Sequence, residues 1–172
     1  MSKTPKFHIR AATAEDAATV LRFIQALAAY EKLEHACVAT VEQLKATVFA
    51  PHSNVHVLLI EEQTSETNRR QAAGFALYFY NYSTFLAKPG IYLEDLFVPP
   101  EFRGKGYGKA LMLHLAKLAV AQGCGRFEWS VLDWNAPSIA FYRSLGAVGM
   151  DEWTVQRVSG EALLALAAIE VD

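Results

Sequence analysis

The sequence predicts an α/β (α+β) fold in which one mixed sheet is covered by helices. Strand-like apolar runs alternate with stretches of helical apolar spacing from residue 7 to residue 169. No internal repeat, linker or low-complexity segment interrupts them. At 172 residues the chain suits a single domain with one sizeable core, expected over about residues 7–169 of 1–172.

Taken in order, Phe7 to Arg10 read as a first strand. Thr13 with Asp16 resembles a capping box, and Ala17, Val20, Leu21, Ile24, Leu27 and Ala28 then share one helical face. Thr40 with Gln43 gives a second capping box, which predicts a short helix over about 41–49 before Pro51. Val55 to Ile60 read as a strand. The polar run QTSETNRRQ, residues 63–71, reads as a solvated hairpin loop. Ala73 to Tyr80 form the next strand, followed by a longer connection from Tyr82 to Gly90. Ile91 to Val98 form a central strand, stopped by Pro99-Pro100. The helix beyond it carries Leu111, Leu115 and Leu118 on one face and can end at Gly123. Phe127 to Leu132 read as a strand. Asn135 to Leu145 read as a helix with Pro137 in its first turn and Gly146 past its end. Trp153 to Val158 are expected to form a last strand, and residues 160–169 a short helix or turn. The element order is therefore β-α-α-β-β-β-α-β-α-β.

Composition narrows the function. The chain is 52% hydrophobic and 20% charged, as a globular protein should be. A formal net charge of −2 gives no basic footprint for nucleic acid. Two cysteines without CxxC spacing suit a reducing cytosol and argue against a zinc site or a disulfide framework. The five histidines lack metal-ligand spacing, so no metal is expected. No stretch of the sequence is apolar enough for a membrane span, and MSKTPKFHIR lacks a signal-like core. A cytoplasmic protein without membrane or nucleic-acid partners is the expectation.

The most informative stretch is EDLFVPPEFRGKGYGK, residues 94–109. A strand feeds a turn of alternating glycines, and a helix starts there. Glycine lacks Cβ, so backbone N–H groups can approach a ligand closely. N–H groups at a helix N-terminus suit a phosphate. A Walker A loop fails, because Arg103 stands where its first glycine belongs and Ala110 follows Lys109. A dinucleotide fingerprint starting at Gly104 fails at Lys109. What remains is R-x-x-G-x-G, which resembles the acetyl-CoA pyrophosphate loop of the GCN5-related N-acetyltransferases. The alternative is a glycine-rich turn that only starts a helix. The element order also matches that family's fold, so the resemblance covers roughly residues 7–169 and implies a mostly antiparallel mixed sheet.

The resemblance implies an acetyl-CoA-dependent transfer to a primary amine in a ternary complex. Such an amine is protonated at neutral pH, and only its neutral form attacks a thioester. A base must take its proton, an acid should protonate the leaving thiolate, and a donor must stabilise the oxyanion. Glu94 and Asp95 are neighbours on a strand and should face opposite ways. Glu94 is the candidate base, acting through water as matching carboxylates do in related diamine acetyltransferases; a structural acidic pair is the alternative. Tyr142, in N-A-P-S-I-A-F-Y (135–142), is the candidate acid, since a phenol stays protonated at neutral pH. The alternative is an aromatic on a buried stripe with Ile139 and Leu145. Asn135 and Ser138 are expected near the pantetheine arm, although Asn135 also suits a helix cap. The backbone of Leu96, Phe97 and Val98 should pair with pantetheine amides. Arg103, Gly104, Lys105, Gly106, Tyr107, Gly108 and Lys109 should hold the pyrophosphate.

On the acceptor side, Tyr30-Glu31 matches a Tyr-Glu pair of the diamine branch; a solvated helix end is the alternative. The loop YNYSTFLAKPGIYLED (80–95), the strand Glu128-Trp129-Ser130 and the phrase V-L-D-W-N (131–135) resemble the spermidine/spermine, thialysine and ornithine acetyltransferase branch. Tyr30, Glu31, Asp95, Glu128, Trp129 and Ser130 are therefore candidate substrate-binding residues, because acidic and aromatic groups suit an ammonium ion. The polyamine enzymes have an Asp-Pro-Trp element where this chain has Ser83-Thr84-Phe85-Leu86. That favours a lysine-, ornithine- or thialysine-like acceptor, whose carboxylate has no evident partner in the sequence. Other readings are a protein lysine or N-terminal acetyltransferase and a non-catalytic acyl-CoA-binding module. The family resemblance implies a homodimer, and the aromatic loop 78–86 is a candidate part of its interface.

Overall fold

The computed structural model describes residues 7–63 and 69–170. It holds five strands in one sheet, β1 (Phe7–Ala11), β2 (Val55–Gln63), β3 (Arg70–Ser83), β4 (Lys88–Phe97) and β5 (Arg126–Trp129). The strands lie in sequence order. All neighbours run antiparallel except β4 and β5, which are parallel. The helices are α1 (Ala17–Glu31), α2 (Val41–Thr47), α3 (Tyr107–Ala121), α4 (Ala136–Ser144) and α5 (Gly160–Ala167). The chain divides into two compact units, one ending at Ser130 and one beginning at Val131.

The first unit is a two-faced sheet. Val57, Leu59, Phe75, Leu77 and Phe97 make one face and pack with Ala17, Val20 and Phe23 of α1 and Leu44 of α2. Phe23 stacks on Phe75 with ring centroids 5.6 Å apart. The intervening residues Leu58, Ile60, Ala76, Ile91 and Leu93 are buried on the other face, where α3 buries Tyr107, Leu111, Met112 and Leu115. A fully covered sheet explains why these strands read as nearly continuous apolar runs.

The local signals are sound. The Asp16 carboxylate accepts from the Thr13 N–H at 2.8 Å, and a 3₁₀ turn then leads into α1. The Thr40 hydroxyl accepts from the Gln43 N–H, and the Gln43 side chain accepts from the Thr40 N–H at 2.9 Å, so the second capping box is complete. Gly123 adopts φ 67° after α3, as a helix-ending glycine should.

Three expectations need correction. The connection over 82–90 is not long: Tyr82 pairs with Pro89 and Ser83 with Lys88, so β3 and β4 close through a tight turn at 84–87. The fifth strand starts earlier and stops sooner than expected, because its last ladder partner is Leu93 opposite Trp129. No strand forms over 153–158. Periodicity can nominate a strand, but only a neighbouring backbone makes one, and no ladder reaches this segment. The middle of the hairpin loop expected at 63–71, residues 64–68, lies outside the described residues; its flanks do pair, Gln63 with Arg70.

Candidate active site

The site of the first unit begins at an irregularity. Leu77 pairs with Asp95 but Tyr78 pairs with Leu93, so Glu94 is an extra residue on β4, a β-bulge. Strict alternation, on which the expected opposite orientation of Glu94 and Asp95 rested, fails there. Cross-strand partners share a face, so Asp95 joins Leu77 on the face that packs against α1. Tyr92, before the bulge, pairs with Phe79 on that same face and stacks on it at 5.2 Å. The bulge thus aims Tyr92 and Asp95 to one side, three residues apart.

The Asp95 side chain is mostly buried, and its carboxylate hydrogen-bonds no described residue. Burial, then the charge of Glu94, then that of Glu31 push its carboxyl up to about 6. Glu31, at the last position of α1, is also raised by burial. Asp95 therefore lies within electrostatic range of both Glu94 and Glu31, and none of the three carboxylates forms an ion pair with a cation among the described residues. Such a cluster is unfavourable alone and attracts an ammonium ion. Among the described residues, no three His, Cys, Asp or Glu side chains converge closely enough to hold a metal ion.

Beside the bulge the sheet opens. β5 pairs with β4 only from Gly90 to Leu93. Beyond that point β4 continues to Phe97 with no β5 partner, so one edge of its backbone keeps free N–H and C=O groups. Leu96, Phe97 and Val98 lie here, where an extended amide-bearing ligand could pair as an added strand. The ring of Phe97 is buried in the core, so only its backbone is on offer.

The glycine loop follows. Gly104 and Gly106 have φ 76° and 83°, and a Cβ added at either would meet nothing within 4 Å. Gly106 caps α3, whose first N–H groups have no acceptor within the helix. Backbone donors at a helix start, beside glycines with open space around them, suit a pyrophosphate. The loop cations have existing contacts. Arg103 donates from Nε to the Val98 carbonyl at 2.9 Å, and its guanidinium lies 5.0 Å from the Tyr30 ring centroid and 5.8 Å from that of Phe97. Arg103 thereby joins the loop to Tyr30 at the end of α1. Lys105 pairs with Glu62 of β2 at 2.9 Å. Tyr107 has a buried ring whose hydroxyl, close to Glu62, is pushed up to about 12 mainly by burial. Its backbone N–H, at the first position of α3, is the group it has to offer a ligand. Gly108 and Lys109 continue the first turn, with the Lys109 side chain exposed.

The face that carries Asp95 continues along the sheet. The Tyr92 hydroxyl and Ser130 Oγ are 2.8 Å apart. Asn81 donates to Glu128 Oε2 at 2.9 Å, and Arg126 Nε lies 2.8 Å from the same oxygen. Trp129 alternates to the other face and packs against Phe127. Arg126 escaped sequence reasoning. Its signal was the R-x-E spacing of Arg126 and Glu128, which places opposite charges on one face of a strand.

In the second unit, Asn135 caps α4 and its Oδ1 accepts from the Ser138 N–H at 3.3 Å. The capping role is thus real. Tyr142 sits on α4 with its ring 5.3 Å from that of Phe141.

Comparison with known proteins identifies the family. Residues 21–147 match the acetyltransferase (GNAT) family. An L-ornithine N5-acetyltransferase of Arabidopsis thaliana is 35% identical over 95% of this chain and 89% of its own length. A thialysine N-epsilon-acetyltransferase of Mus musculus is 35% identical over 92% of this chain and 96% of its own. Among solved structures, an integron cassette protein of V. cholerae superposes with a TM-score of 0.77 at 29% identity, covering 95% of this chain and 98% of its own. The chain belongs to the GNAT family of acetyltransferases. It is an enzyme of the N-acetyltransferase class.

Proposed function

We propose that this enzyme moves an acetyl group from acetyl-CoA to the side-chain amine of a small cationic amino acid resembling ornithine, lysine or thialysine. One observation carries the reading: the bulge in β4 gathers Glu31, Glu94 and Asp95 next to a strand edge that opens at Leu93. The names of the two curated relatives support the same acceptor class.

Acetyl-CoA supplies an activated acyl carbonyl and a good leaving thiolate. The chain's residues do the rest. The Gly104–Gly106 loop and the first N–H groups of α3 hold the pyrophosphate, with Arg103, Lys105 and Lys109 adding positive charge. The free β4 edge over Leu96–Val98 orients the pantetheine arm, and one of its N–H groups donates to the oxyanion. By the family resemblance, contact with the pantetheine arm falls to Asn135 and Ser138 and protonation of the thiolate to Tyr142, all three in the second unit. Glu31 and Asp95, with the Tyr30 ring, draw in the ammonium group. Glu94, the exposed member of the cluster, takes the amine's proton through water. Glu128 and Ser130 flank the acceptor, whereas Trp129, expected beside them, points to the opposite face of the sheet because it alternates with them along β5. The reading treats residues 7–169 as one acetyltransferase domain working in the cytoplasm as a homodimer. The exposed Tyr82, Phe85 and Leu86 at the β3–β4 turn suit the dimer contact.

The test is CoA release with acetyl-CoA and a panel of thialysine, lysine, ornithine, spermidine, 1,4-diaminobutane and a lysine peptide. Turnover on the amino acids supports the proposal. A preference for the peptide or the polyamines would replace its acceptor class.

A further inference from the structure

An amino-acid acceptor brings a carboxylate and an α-ammonium as well as the reacting amine. We propose that Arg126 and Glu128 form a clamp for that zwitterionic end and so determine acceptor specificity. This inference rests on the amine-acetyltransferase reading above.

Four observations place the clamp. The first is shared orientation. Arg126 stands opposite Gly90, which stands opposite Asn81, and Glu128 stands opposite Tyr92, which stands opposite Phe79. Asn81, Phe79 and Leu77 alternate along β3 on one face, and Leu77 is the partner of Asp95. Arg126, Glu128 and Asp95 therefore share a face.

The second is the missing side chain at Gly90. A Cβ there would come within 2.8 Å of Arg126 Cγ and would also collide with Asn81. Glycine lets the arginine lie down over the sheet. Its Nε then reaches Glu128 and one terminal nitrogen donates to the Tyr82 carbonyl at 3.1 Å. The other terminal nitrogen hydrogen-bonds no described residue, so a donor is left over for a ligand.

The third is charge pattern. Both side chains are about one-third exposed, at 36% and 35%, so the pair is reachable from solvent. A cation and an anion side by side complement an α-carboxylate and an α-ammonium. A polyamine has no carboxylate, and its far ammonium would meet the arginine's repulsion.

The fourth is reach. From Gly90 to Asp95 is five residues, one of them the bulge, which leaves about four strand steps or ~13 Å. The Asp95 carboxyl covers ~2 Å of that, and the arginine reaches sideways to the Tyr82 carbonyl rather than towards Asp95, leaving a span of ~11 Å. An amino acid with three or four side-chain methylenes places its amine and carboxylate ~6–8 Å apart when extended, and a contact of ~3 Å at each end brings the span it bridges to ~12–14 Å, close to that available. The acceptor would lie across Tyr92, whose ring is held by Phe79 and whose hydroxyl is held by Ser130.

The test compares ornithine with ornithinamide, in which only the carboxylate is neutralised, at saturating acetyl-CoA. The wild-type enzyme should prefer ornithine about tenfold or more in kcat/KM, the loss expected for a charge-assisted bidentate contact. Arg126→Gln should remove that preference. Arg126→Lys, which keeps the charge but lacks the fork, should weaken it several-fold. Glu128→Gln should narrow the discrimination between ornithine and 5-aminopentanoate, which lacks the α-amine. Equal wild-type use of ornithine and ornithinamide, or an undiminished preference in both Arg126 variants, overturns the clamp. Wild-type turnover of diamines but not of α-amino acids overturns it while leaving the amine-transferase reading intact. Silence on every amine defeats that reading and the clamp together.

Discussion

The Asp95 carboxylate sits where burial and neighbouring negative charges disfavour its ionised form. A carboxylate held among two others in a buried setting, raised from 3.8 to about 6, makes its ionised form cost roughly 2–3 kcal/mol. Asp95→Asn removes that charge and keeps the shape. It should raise the melting temperature at pH 8 while weakening turnover on cationic acceptors at least tenfold, which thermal denaturation and CoA release will show together. A variant that loses both stability and activity would mean Asp95 serves the fold. The proposed acid is tested differently. Tyr142→Phe should lower kcat 10²-fold or more and leave acetyl-CoA affinity within about twofold, as steady-state kinetics and calorimetry can separate. Unaltered kcat would assign the ring to packing with Phe141.

At the scale of elements, the glycine loop and α1 carry separate burdens. Gly106 caps α3 at φ 83°, in the left-handed region. Gly106→Ala finds open space but a strained backbone, costing about 1–2 kcal/mol. Because that strain sits where N–H groups must converge, KM for acetyl-CoA should rise several-fold more than KM for the amine. Phe23 tests the core instead. It is stacked on Phe75 and 7% exposed, so Phe23→Ala should cost about 3–5 kcal/mol by chemical denaturation. The sequence reading of α1 placed its apolar face on Ala17, Val20, Leu21, Ile24, Leu27 and Ala28 and omitted Phe23. The observed face keeps Ala17 and Val20 and adds Phe23, because that ring stacks on Phe75, a partner over fifty positions away.

For the whole chain, pH links these charges to stability. Arg10 holds the Asp16 carboxyl down to about 2, so that contribution is present above about pH 4 and fades as pH falls through 2. Asp95 acts in the opposite sense. Its folded carboxyl titrates at about 6, so its contribution is present below about pH 4 and is lost as pH rises through 6. Melting temperature should therefore decline between pH 4 and 6.5 by an amount that Asp95→Asn abolishes. A parallel decline in both proteins would place the cause elsewhere. The homodimer proposal belongs to this scale too: sedimentation at micromolar concentration should show twice the chain mass, and Phe85→Asp should shift it toward monomer.

Much of this was written locally. The two capping boxes, the glycine turn, the helix after Asn135 and most strand positions depend on neighbours a few residues apart, so the amino-acid order alone determined them, along with the family likeness. The candidate residues on β4 and in the loop were legible for the same reason. Tertiary structure alone decided the rest. The bulge at Glu94 is a mismatch between two strands, so no reading of β4 by itself could show that Asp95 would face Glu31. The opening of the sheet past Leu93 depends on where β5 stops pairing. The orientation of Arg126 depends on a glycine in the neighbouring strand. The strand expected at 153–158 failed because β structure needs a partner backbone. Local propensity specifies which segments form helices and turns; register between distant segments specifies which charges meet.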